Sequence, residues 1–563
     1  MKPTPKIEPA SAGVNRRDFI LGTLATGAVV GGGLGAFYFG YEKSLGSPLR
    51  VGVIGAGDEG SVLIGAINSD YLEVRSIADI RPYSIWRAFH GDHYSDAALE
   101  ARPGLLSKYG WKNETEARRH VKVYELEDGG YENLINNAKR DGVEAVIIAL
   151  PLHLHAPAAI AAMRAGLHVM TEKLMAHSVH ECKDMARVAK QTGMILATGH
   201  QRHYNILYAN AVDSIRRGLL GDLHYIRAQW HRGNMPGRDS WQQPMPKKVK
   251  PKDHLANVLF DKRKEYRKEL SSARGAAMDR CRARLEQVEA QLDDKIVEAE
   301  KFGYQSNQIT DASGKVIYEC PPIEELIRWR LWDRTGGGLM AELGSHQLDA
   351  ASIFIAAMHG GEKQMPLSVA AAADRPLFPP DRDVEDHVYC LLEFPTPGYN
   401  ADDPLARGNK IGVQYASING NGFGGYGEMV FGTEGTLILE QEQNMLIAKD
   451  SDKTNGVQVT EAGAGPTLDT QATFGPTTAT QAGGPVKVSR GYSEELEHWA
   501  WCIRHPDPYN QPRCGPKVAL GDAVIALTTN IAARGGARIE FQKEWFDPDS
   551  DETPEGIAPS VRA

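Results

Sequence analysis

Cysteine is scarce in this chain. It supplies six of the 563 residues, and no two cysteines have CxxC spacing. A zinc ribbon and a small fold built on disulfides are therefore excluded. A Walker-type phosphate loop and a GxSxG nucleophile elbow are missing as well, so neither of those catalytic motifs is available.

An excess of charge of either sign is also missing. The 63 Lys and Arg residues stand against 72 Asp and Glu residues, which leaves a formal net charge of −9. This balance gives no general attraction for nucleic acid, and we expect no nucleic-acid partner. With 42% hydrophobic and 24% charged residues, the composition is that of a folded soluble protein. The length allows three or four domains, or fewer large ones in an α/β architecture.

Residues 1–48 form a predicted targeting segment. Lys2 and Lys6 lead into Asn15-Arg16-Arg17-Asp18-Phe19-Ile20-Leu21, and no charged residue follows until residue 42. Paired arginines before an apolar stretch are typical of twin-arginine export signals. The stretch is also long enough for a membrane anchor, although its seven glycines favour export. We expect export to the periplasm through the twin-arginine machinery, with retention by an uncleaved anchor as the alternative.

A glycine-rich turn follows the targeting segment. The apolar run of residues 49–54 predicts a strand, and a helical pattern follows the motif that consists of Gly55, Ala56, Gly57, Asp58, Glu59 and Gly60. A second predicted strand ends beside Asp79, about 20 residues further on. Glycines in such a turn let the backbone approach a pyrophosphate, and the N-terminus of the helix stabilises its charge. The pattern predicts a dinucleotide site at this turn.

The choice between NAD and NADP depends on the end of the second strand. Asp79 can accept hydrogen bonds from the hydroxyl groups of the adenosine ribose, and it would repel a 2′-phosphate. Arg81 could instead accommodate that phosphate. The sequence therefore favours NAD and leaves NADP open.

Alternating strands and helices continue to residue 204. The apolar run of residues 143–150 is nearly uninterrupted, as expected for a parallel strand that is covered on both faces. Further strands are predicted at residues 121–124, 167–171 and 194–198, with helices between them. Residues 49–204 are therefore predicted to form a Rossmann domain.

Four motifs resemble the Gfo/Idh/MocA family of NAD(P)-dependent sugar oxidoreductases. They are ALPLHLH at 149–155, AAMRAGLHVMTEKLMA at 161–176, GHQR at 199–202 and GGGLMAELGSHQLD at 336–349. Two positions depart from the family pattern, because Leu174 replaces a usual proline and Glu342 replaces a usual aspartate. With the twin-arginine motif, the subgroup most resembled is that of the periplasmic glucose–fructose oxidoreductases.

The resemblance implies a fold and a set of site residues. An α+β domain with a largely antiparallel, open-faced sheet is expected over residues 205–545, after the α/β Rossmann domain. The implied cofactor-binding residues beyond the glycine turn are Asp79, Arg81, Leu150, Pro151, His155, Glu172, Lys173 and Gln201. The implied substrate-binding residues are Lys173, Arg202, Tyr204 and His346. A homo-oligomer is also expected.

Oxidation of a sugar carbinol needs a base and a group that steadies the charge on the oxygen. We assign the general base to His346, whose ordinary pKa suits proton transfer near neutrality. Lys173 would hydrogen-bond the reacting oxygen, and Glu342 would orient the catalytic groups. Two alternatives are an ordinary surface pair of Glu342 and His346, and a metal site completed by Asp349. We expect no metal, because no second histidine of an HExxH motif follows.

A helical insertion at about residues 236–325 interrupts the second domain. Its apolar residues recur at helical spacing over residues 261–302, which predicts one long helix or two broken near Gly275. It could lie on its own domain or serve as a subunit-contact arm. Residues 546–563 are predicted to form an acidic tail.

Two functions follow from these observations. The leading one is an exported oxidoreductase that transfers hydride between a sugar or polyol and the C4 of a tightly held nicotinamide. Tight binding is expected because free NAD is scarce outside the inner membrane. The alternative is a redox-neutral glycosidase or lyase that acts through a transient keto-sugar.

Overall fold

The computed structural model describes residues 46–248, 255, 257–442, 444–449, 453–461, 466–473 and 489–563. Residues 1–45 of the predicted targeting segment lie outside this range. None of the helices in the described ranges has the length and apolar character needed to span a membrane.

The first sheet has six parallel strands in the order β3-β2-β1-β4-β5-β6. This is the Rossmann order, and it confirms the predicted α/β domain. Its strands are β1 (Leu49–Ile54), β2 (Leu72–Ala78), β3 (Lys122–Tyr124), β4 (Ala145–Ile148), β5 (His168–Glu172) and β6 (Leu196–Gly199). The helices in this half are α1 (Asp58–Ala66), α2 (Pro82–His90), α3 (Asp96–Ala101), α4 (Gly104–Tyr109), α5 (Glu114–Ala117), α6 (Tyr131–Asp141), α7 (His155–Arg164) and α8 (Val179–Thr192).

The second sheet has ten strands in the order β17-β16-β15-β14-β13-β7-β12-β11-β10-β18. All of its pairs are antiparallel except that of β7 with β12, which confirms the predicted, largely antiparallel sheet. Its strands are β7 (Leu223–Trp230), β10 (Ser368–Asp374), β11 (His387–Pro395), β12 (Lys410–Ile418), β13 (Tyr426–Gly432), β14 (Gly435–Glu440), β15 (Asn444–Lys449), β16 (Lys453–Glu461), β17 (Pro466–Thr473) and β18 (Ile539–Glu540).

One face of the second sheet packs on helices and the other is open. The helices are α9 (Ile206–Arg216) and α14 (Ser345–Met358), whose apolar side chains share a core with the sheet. Along β11 the residues alternate between buried and accessible. On the open face Tyr389 is 43% exposed and Leu391 is 49% exposed. The sheet is therefore open-faced, as expected.

The insertion forms two helices, α10 (Val258–Ser272) and α11 (Ala276–Asp293), and a hairpin of β8 (Asn307–Thr310) and β9 (Val316–Cys320). The break falls at Gly275, as predicted, where a φ of +55° favours glycine. Helix α11 packs against α2 of the Rossmann domain. The insertion thus leaves its own domain and covers the first one, which neither predicted alternative describes.

The last part of the chain returns to the first domain. Short helices α12 (Pro322–Ile327) and α13 (Asp333–Gly336) precede α14, and α15 (Tyr492–Arg504) and α16 (Pro516–Gly535) follow the second sheet. Leu496 and Trp499 of α15 belong to the core around β1 and β2. The boundary predicted near residue 204 therefore assigns too little of the chain to the Rossmann domain.

The predicted acidic tail is docked on α8. The Lys183 ammonium donates to the backbone oxygens of Glu544, Ser550 and Glu552 at 2.8, 2.9 and 2.6 Å. Asp184 accepts hydrogen bonds from the backbone N–H groups of Ser560 and Val561. Acidic side chains of the tail contact the same helix, since Asp549 pairs with Lys190 at 2.8 Å, Asp551 pairs with Arg187 at 2.9 Å, and Glu555 lies 3.1 Å from His180.

Candidate active site and dinucleotide pocket

A cavity of about 1480 Å³ lies between the two domains. It extends from the glycine turn after β1 to the start of α14, and the insertion covers it. Pockets for single small ligands usually have volumes of about 300–1,000 Å³. This cavity has room for a dinucleotide and a second ligand.

The glycine turn has the shape that a pyrophosphate needs. A Cβ atom on Gly55 would lie 2.4 Å from the Ala149 backbone oxygen, and one on Gly60 would lie 2.0 Å from the Gly55 oxygen. Both glycines are therefore required for close packing of the backbone. A Cβ on Gly57 would meet nothing within 4 Å, and this residue faces the cavity. The N-terminus of α1 follows directly, so the turn fits a bound anion.

The end of β2 is tied to this turn. Asp79 accepts hydrogen bonds from the N–H groups of Ala56 and Arg81, both at 2.9 Å. Asp79 and Arg81 line the cavity, together with the predicted residues Asp58 and Glu59. The carboxylate of Asp79 is thus fixed where an adenosine ribose would lie.

The strands β4 and β5 supply the middle of the cavity wall. It is lined by four of the residues that were expected to bind the cofactor, Leu150, Pro151, His155 and Glu172. The His155 ring lies 2.9 Å from the backbone oxygens of both Leu150 and Leu174, and so it bridges the ends of the two strands. Burial raises the pKa of Glu172 to about 8, and a carboxyl that is protonated near neutrality can donate a hydrogen bond.

Lys173 and Glu342 meet across the domain junction. The Lys173 ammonium donates to the Glu342 backbone oxygen at 2.8 Å and lies 3.6 Å from its carboxylate. Arg330 forms a second ion pair with Glu342. Burial alone would raise the pKa of Glu342, but the charges of Lys173 and Arg330 outweigh it and lower this pKa to about 2. Glu342 is therefore ionised, and it anchors both cations. The Lys173–Leu174 peptide bond is cis.

His346 lies on the same wall of the cavity. A π-helical segment, Met340–Gly344, precedes α14, so Glu342 and His346 are not a simple i,i+4 surface pair. The His346 ring is 5.4 Å from that of Trp230, centroid to centroid. Burial and the charge of Lys173 hold the pKa of His346 well below its ordinary value. The imidazole is therefore neutral at physiological pH and can accept a proton.

Comparison with known proteins agrees with this geometry. Residues 49–200 match the model of the Gfo/Idh/MocA oxidoreductase family with its NAD-binding Rossmann fold. These residues therefore resemble the NAD-binding domain of that family. The match confirms the predicted Rossmann domain and NAD as the cofactor that this domain fits.

Two curated relatives match this chain only in part. A glycosyl hydrolase family 109 protein of Stenotrophomonas maltophilia is 28% identical over 188 residues, which are 32% of this chain and 36% of the relative. A 2,7-anhydro-N-acetylneuraminate hydratase of Mediterraneibacter gnavus is 31% identical over 130 residues, which are 22% of this chain and 32% of the relative. The chain thus spans about a third of the length of these relatives.

One solved structure extends the likeness over both domains. An inositol dehydrogenase homolog of Azotobacter vinelandii, complexed with NAD+, superposes with a TM-score of 0.53. The alignment covers 88% of this chain and 98% of the other at 14% identity. At this identity the likeness shows the fold alone.

Four residues predicted from the family resemblance do not reach the cavity wall. Gly60 packs against the Gly55 backbone oxygen within the turn, and Gln201 is buried after the end of β6. Arg202 is 1% exposed, pairs with Glu428 and Glu442 at 3.1 and 2.9 Å, and donates to the His346 backbone oxygen at 2.6 Å. It therefore positions the His346 backbone and does not contact the substrate.

Tyr204 is likewise corrected from substrate ligand to packing residue. Its hydroxyl group lies 2.9 Å from His498 Nδ1 and accepts a hydrogen bond from the Arg513 N–H at 2.9 Å. Both partners come from the returning C-terminal segment. The hydroxyl therefore joins the two ends of the domain and points away from the cavity.

Several residues of the cavity wall were missed by sequence reasoning. Arg330 pairs with the Glu342 carboxylate, but it stands in a tryptophan-rich segment without a recognisable motif. Others come from the insertion and from the segment that leads into α15. They include Leu259, Tyr266, Gln287, Tyr304, Arg490 and Tyr492. No spacing in the sequence relates these residues to the glycine turn.

A cluster of buried polar side chains includes Asp349 of α14. His203, Asp349 and Asp522 bring possible metal ligand atoms within 4.8 Å of one another. His203 Nε2 lies 2.9 Å from Asp349. The Lys363 ammonium pairs with Asp522 and lies 3.9 Å from Asp349. The Lys363 ammonium thus contributes a positive charge beside both carboxylates of the cluster.

Proposed function

We propose that this protein is an exported NAD-dependent oxidoreductase that transfers a hydride between a sugar or polyol carbinol and a tightly held nicotinamide dinucleotide. The observation that carries the proposal is the single cavity. It joins the dinucleotide turn at Gly57 to a wall that holds Lys173, Glu342 and His346.

Three side chains of this protein have separate roles at the carbinol. The Lys173 ammonium can donate to the reacting oxygen and stabilise its developing negative charge. The ionised Glu342 fixes that ammonium in place. The neutral His346 imidazole accepts the hydroxyl proton, so the proton leaves the oxygen while the hydride leaves the carbon. A nicotinamide bound in the cavity supplies the hydride acceptor at its C4.

The names of the curated relatives support a carbohydrate substrate. Glycosyl hydrolase family 109 and an anhydro-N-acetylneuraminate hydratase both denote activities on sugars or sugar derivatives. A screen of sugars and polyols with NAD+ therefore tests the proposal directly. We expect net formation of NADH with at least one free sugar or polyol, and its loss in Lys173→Ala. If no free substrate reduces NAD+, the dehydrogenase proposal fails.

Export and tight binding are proposed together. The twin-arginine motif at Arg16 and Arg17, and the resemblance to periplasmic glucose–fructose oxidoreductases, support transport of a folded, loaded protein. To survive there, the complex needs a Kd in the nanomolar range, about −12 kcal/mol. Protein purified without added cofactor should release dinucleotide on denaturation. A protein that emerges empty would favour a membrane-anchored enzyme that faces the cytoplasm.

A redox-neutral glycosidase or lyase is the second candidate. The curated relatives named glycosyl hydrolase family 109 favour it, with matches over 32% and 38% of this chain. In this reaction a sugar carbon is oxidised, the neighbouring C–H becomes acidic, and the hydride returns after elimination. Cleavage of a glycoside without net NADH would support this candidate, and net NADH with a free sugar would contradict it.

The proposed homo-oligomer would use the open face of the second sheet. Tyr389 and Leu391 project from this face, and water-exposed apolar side chains on a broad sheet are typical of protein–protein contacts. Light scattering on the purified protein should give a mass that is a multiple of the subunit mass. A monomeric mass would contradict this part of the proposal.

A further inference from the structure

The residue that follows α11 contacts Arg81, the residue for which the sequence leaves the choice between NAD and NADP open. Arg81 stands two residues after Asp79, and its guanidinium is the group that could accept a ribose 2′-phosphate. The backbone continues from α11 into Asp294, which is 1% exposed and lies against this guanidinium. A residue of the second domain therefore enters the ribose end of the first-domain site.

Asp294 occupies the hydrogen-bonding edge of Arg81. Its Oδ2 accepts from Arg81 Nε at 2.9 Å and lies 2.8 Å from Arg81 Nη2. Its Oδ1 accepts from the Tyr83 N–H at 2.9 Å. A guanidinium binds a phosphate through two parallel N–H groups of one edge. Here that edge is already bonded to a carboxylate.

The position of Asp294 is fixed by further contacts of α11 with the first domain. Gln287 accepts from the His93 N–H at 2.7 Å, and its amide donates to Asp92 at 2.9 Å and to the Tyr83 hydroxyl at 3.1 Å. Gln287 is itself buried. The end of the helix is therefore docked and does not move freely away from Arg81.

We propose that Asp294 sets the dinucleotide preference of this protein by withholding Arg81 from a 2′-phosphate. This inference rests on the proposed function and adds a basis for its choice between NAD and NADP. The Arg81 guanidinium is thus paired with Asp294, while Asp79 accepts a hydrogen bond from the Arg81 backbone N–H. NAD is accepted at the ribose end of the cavity, and the additional phosphate of NADP meets the carboxylates of Asp79 and Asp294 and finds the Nε/Nη2 edge of Arg81 already paired.

The test is the affinity for NAD+ and NADP+, measured by calorimetry on the full protein freed of endogenous dinucleotide. Asp294→Asn keeps the size of the side chain and an acceptor for the Tyr83 N–H, but it removes the charge. We expect its affinity for NADP+ to rise about tenfold or more, with a change of less than about threefold for NAD+. Asp293→Asn is the matched control, since the neighbouring Asp293 is exposed and pairs only loosely with Lys295 at 3.7 Å.

Arg81 must mediate the effect. The gain for NADP+ should therefore disappear in the double variant Asp294→Asn with Arg81→Ala. Equal NADP+ affinities in Asp294→Asn and Asp293→Asn would overturn the inference. If Asp294→Asn does not fold, Asp294→Ser gives the same comparison with a smaller acceptor. A wild-type protein that binds neither dinucleotide would instead refute the proposed function, so the two failures are distinguishable.

Discussion

Replacement of Arg202 by Met should damage stability and turnover while leaving substrate affinity nearly unchanged. Arg202 is the guanidinium that pairs with the buried Glu428 and Glu442. After its removal Glu442 keeps Arg490 at 2.9 Å, and Glu428 keeps hydrogen bonds from Tyr208 and Gln347 at 2.9 and 2.8 Å. Breaking a buried ion pair by removing one partner costs about 3–5 kcal/mol. We expect a loss of this size in the free energy of unfolding.

The loss should depend on pH. Burial raises the pKa of Glu428 to about 7 in the folded protein even with Arg202 beside it. A raised pKa contributes stability below the unfolded value of about 4.3, and this contribution is lost as the pH rises through 7. Without the guanidinium the folded pKa rises further. The Met variant should therefore be less destabilised at about pH 5, where Glu428 is protonated, than at about pH 8.

Urea unfolding followed by circular dichroism at both pH values measures this difference. Arg217→Met is the matched control, because Arg217 is 59% exposed and its pair with Asp213 spans one helical turn. We expect the control to cost less than about 0.5 kcal/mol. In steady-state kinetics the Arg202 variant should lose kcat, since the His346 backbone loses its 2.6 Å bond, with little change in KM. A raised KM with unchanged stability would show that Arg202 binds substrate after all.

Three further predictions concern the cofactor, the chemistry and the tail. Lys173→Ala and His346→Ala should each lower kcat about 10²–10⁴-fold with NAD binding retained, as measured by steady-state kinetics and calorimetry; near-normal turnover would remove that residue from the mechanism. Asp79→Ala should weaken the preference for NAD+ over NADP+ in binding titrations, and an unchanged ratio would show that Asp79 does not contact the ribose. Lys183→Met should cost about 3 kcal/mol and expose the C-terminal tail to proteolysis, because three backbone oxygens lose a charged donor. Lys190→Met, whose side chain is 65% exposed, should behave like wild type.

The first domain could be predicted from its sequence because its signals are local. A strand buried on both faces needs an uninterrupted apolar run, such as residues 145–148, whichever residues cover it. The turn at Gly55 has a φ of +85°, a property of the local backbone that favours glycine. Lys173, Glu342 and His346 could be proposed together because each of them lies within an uninterrupted family motif, at residues 161–176 or 336–349. The structure brings all three to one cavity.

Residues whose role depends on distant partners could not be assigned in this way. Arg202 stands in the GHQR motif directly after β6. The local sequence is the same whether such an arginine binds a substrate or serves as a buried structural cation. The difference is made by Glu428 and Glu442, 226 and 240 residues further along the chain. The apolar stripe of α11 similarly indicates that one face is buried, but not that α2 of the other domain buries it. Asp294 could be recognised only after that docking was known.

The return of the C-terminal helices bears on the order in which the chain can fold during synthesis. Leu496 and Trp499 belong to the same apolar core as β1, and Ala523 and Val524 belong to the core around β4 and β5. Domains usually fold in sequence as they leave the ribosome, the N-terminal one first. Here the N-terminal domain must wait, with part of its apolar surface uncovered, until nearly the whole chain has been translated. The first domain to be made is therefore completed only after α15 and α16 have been translated.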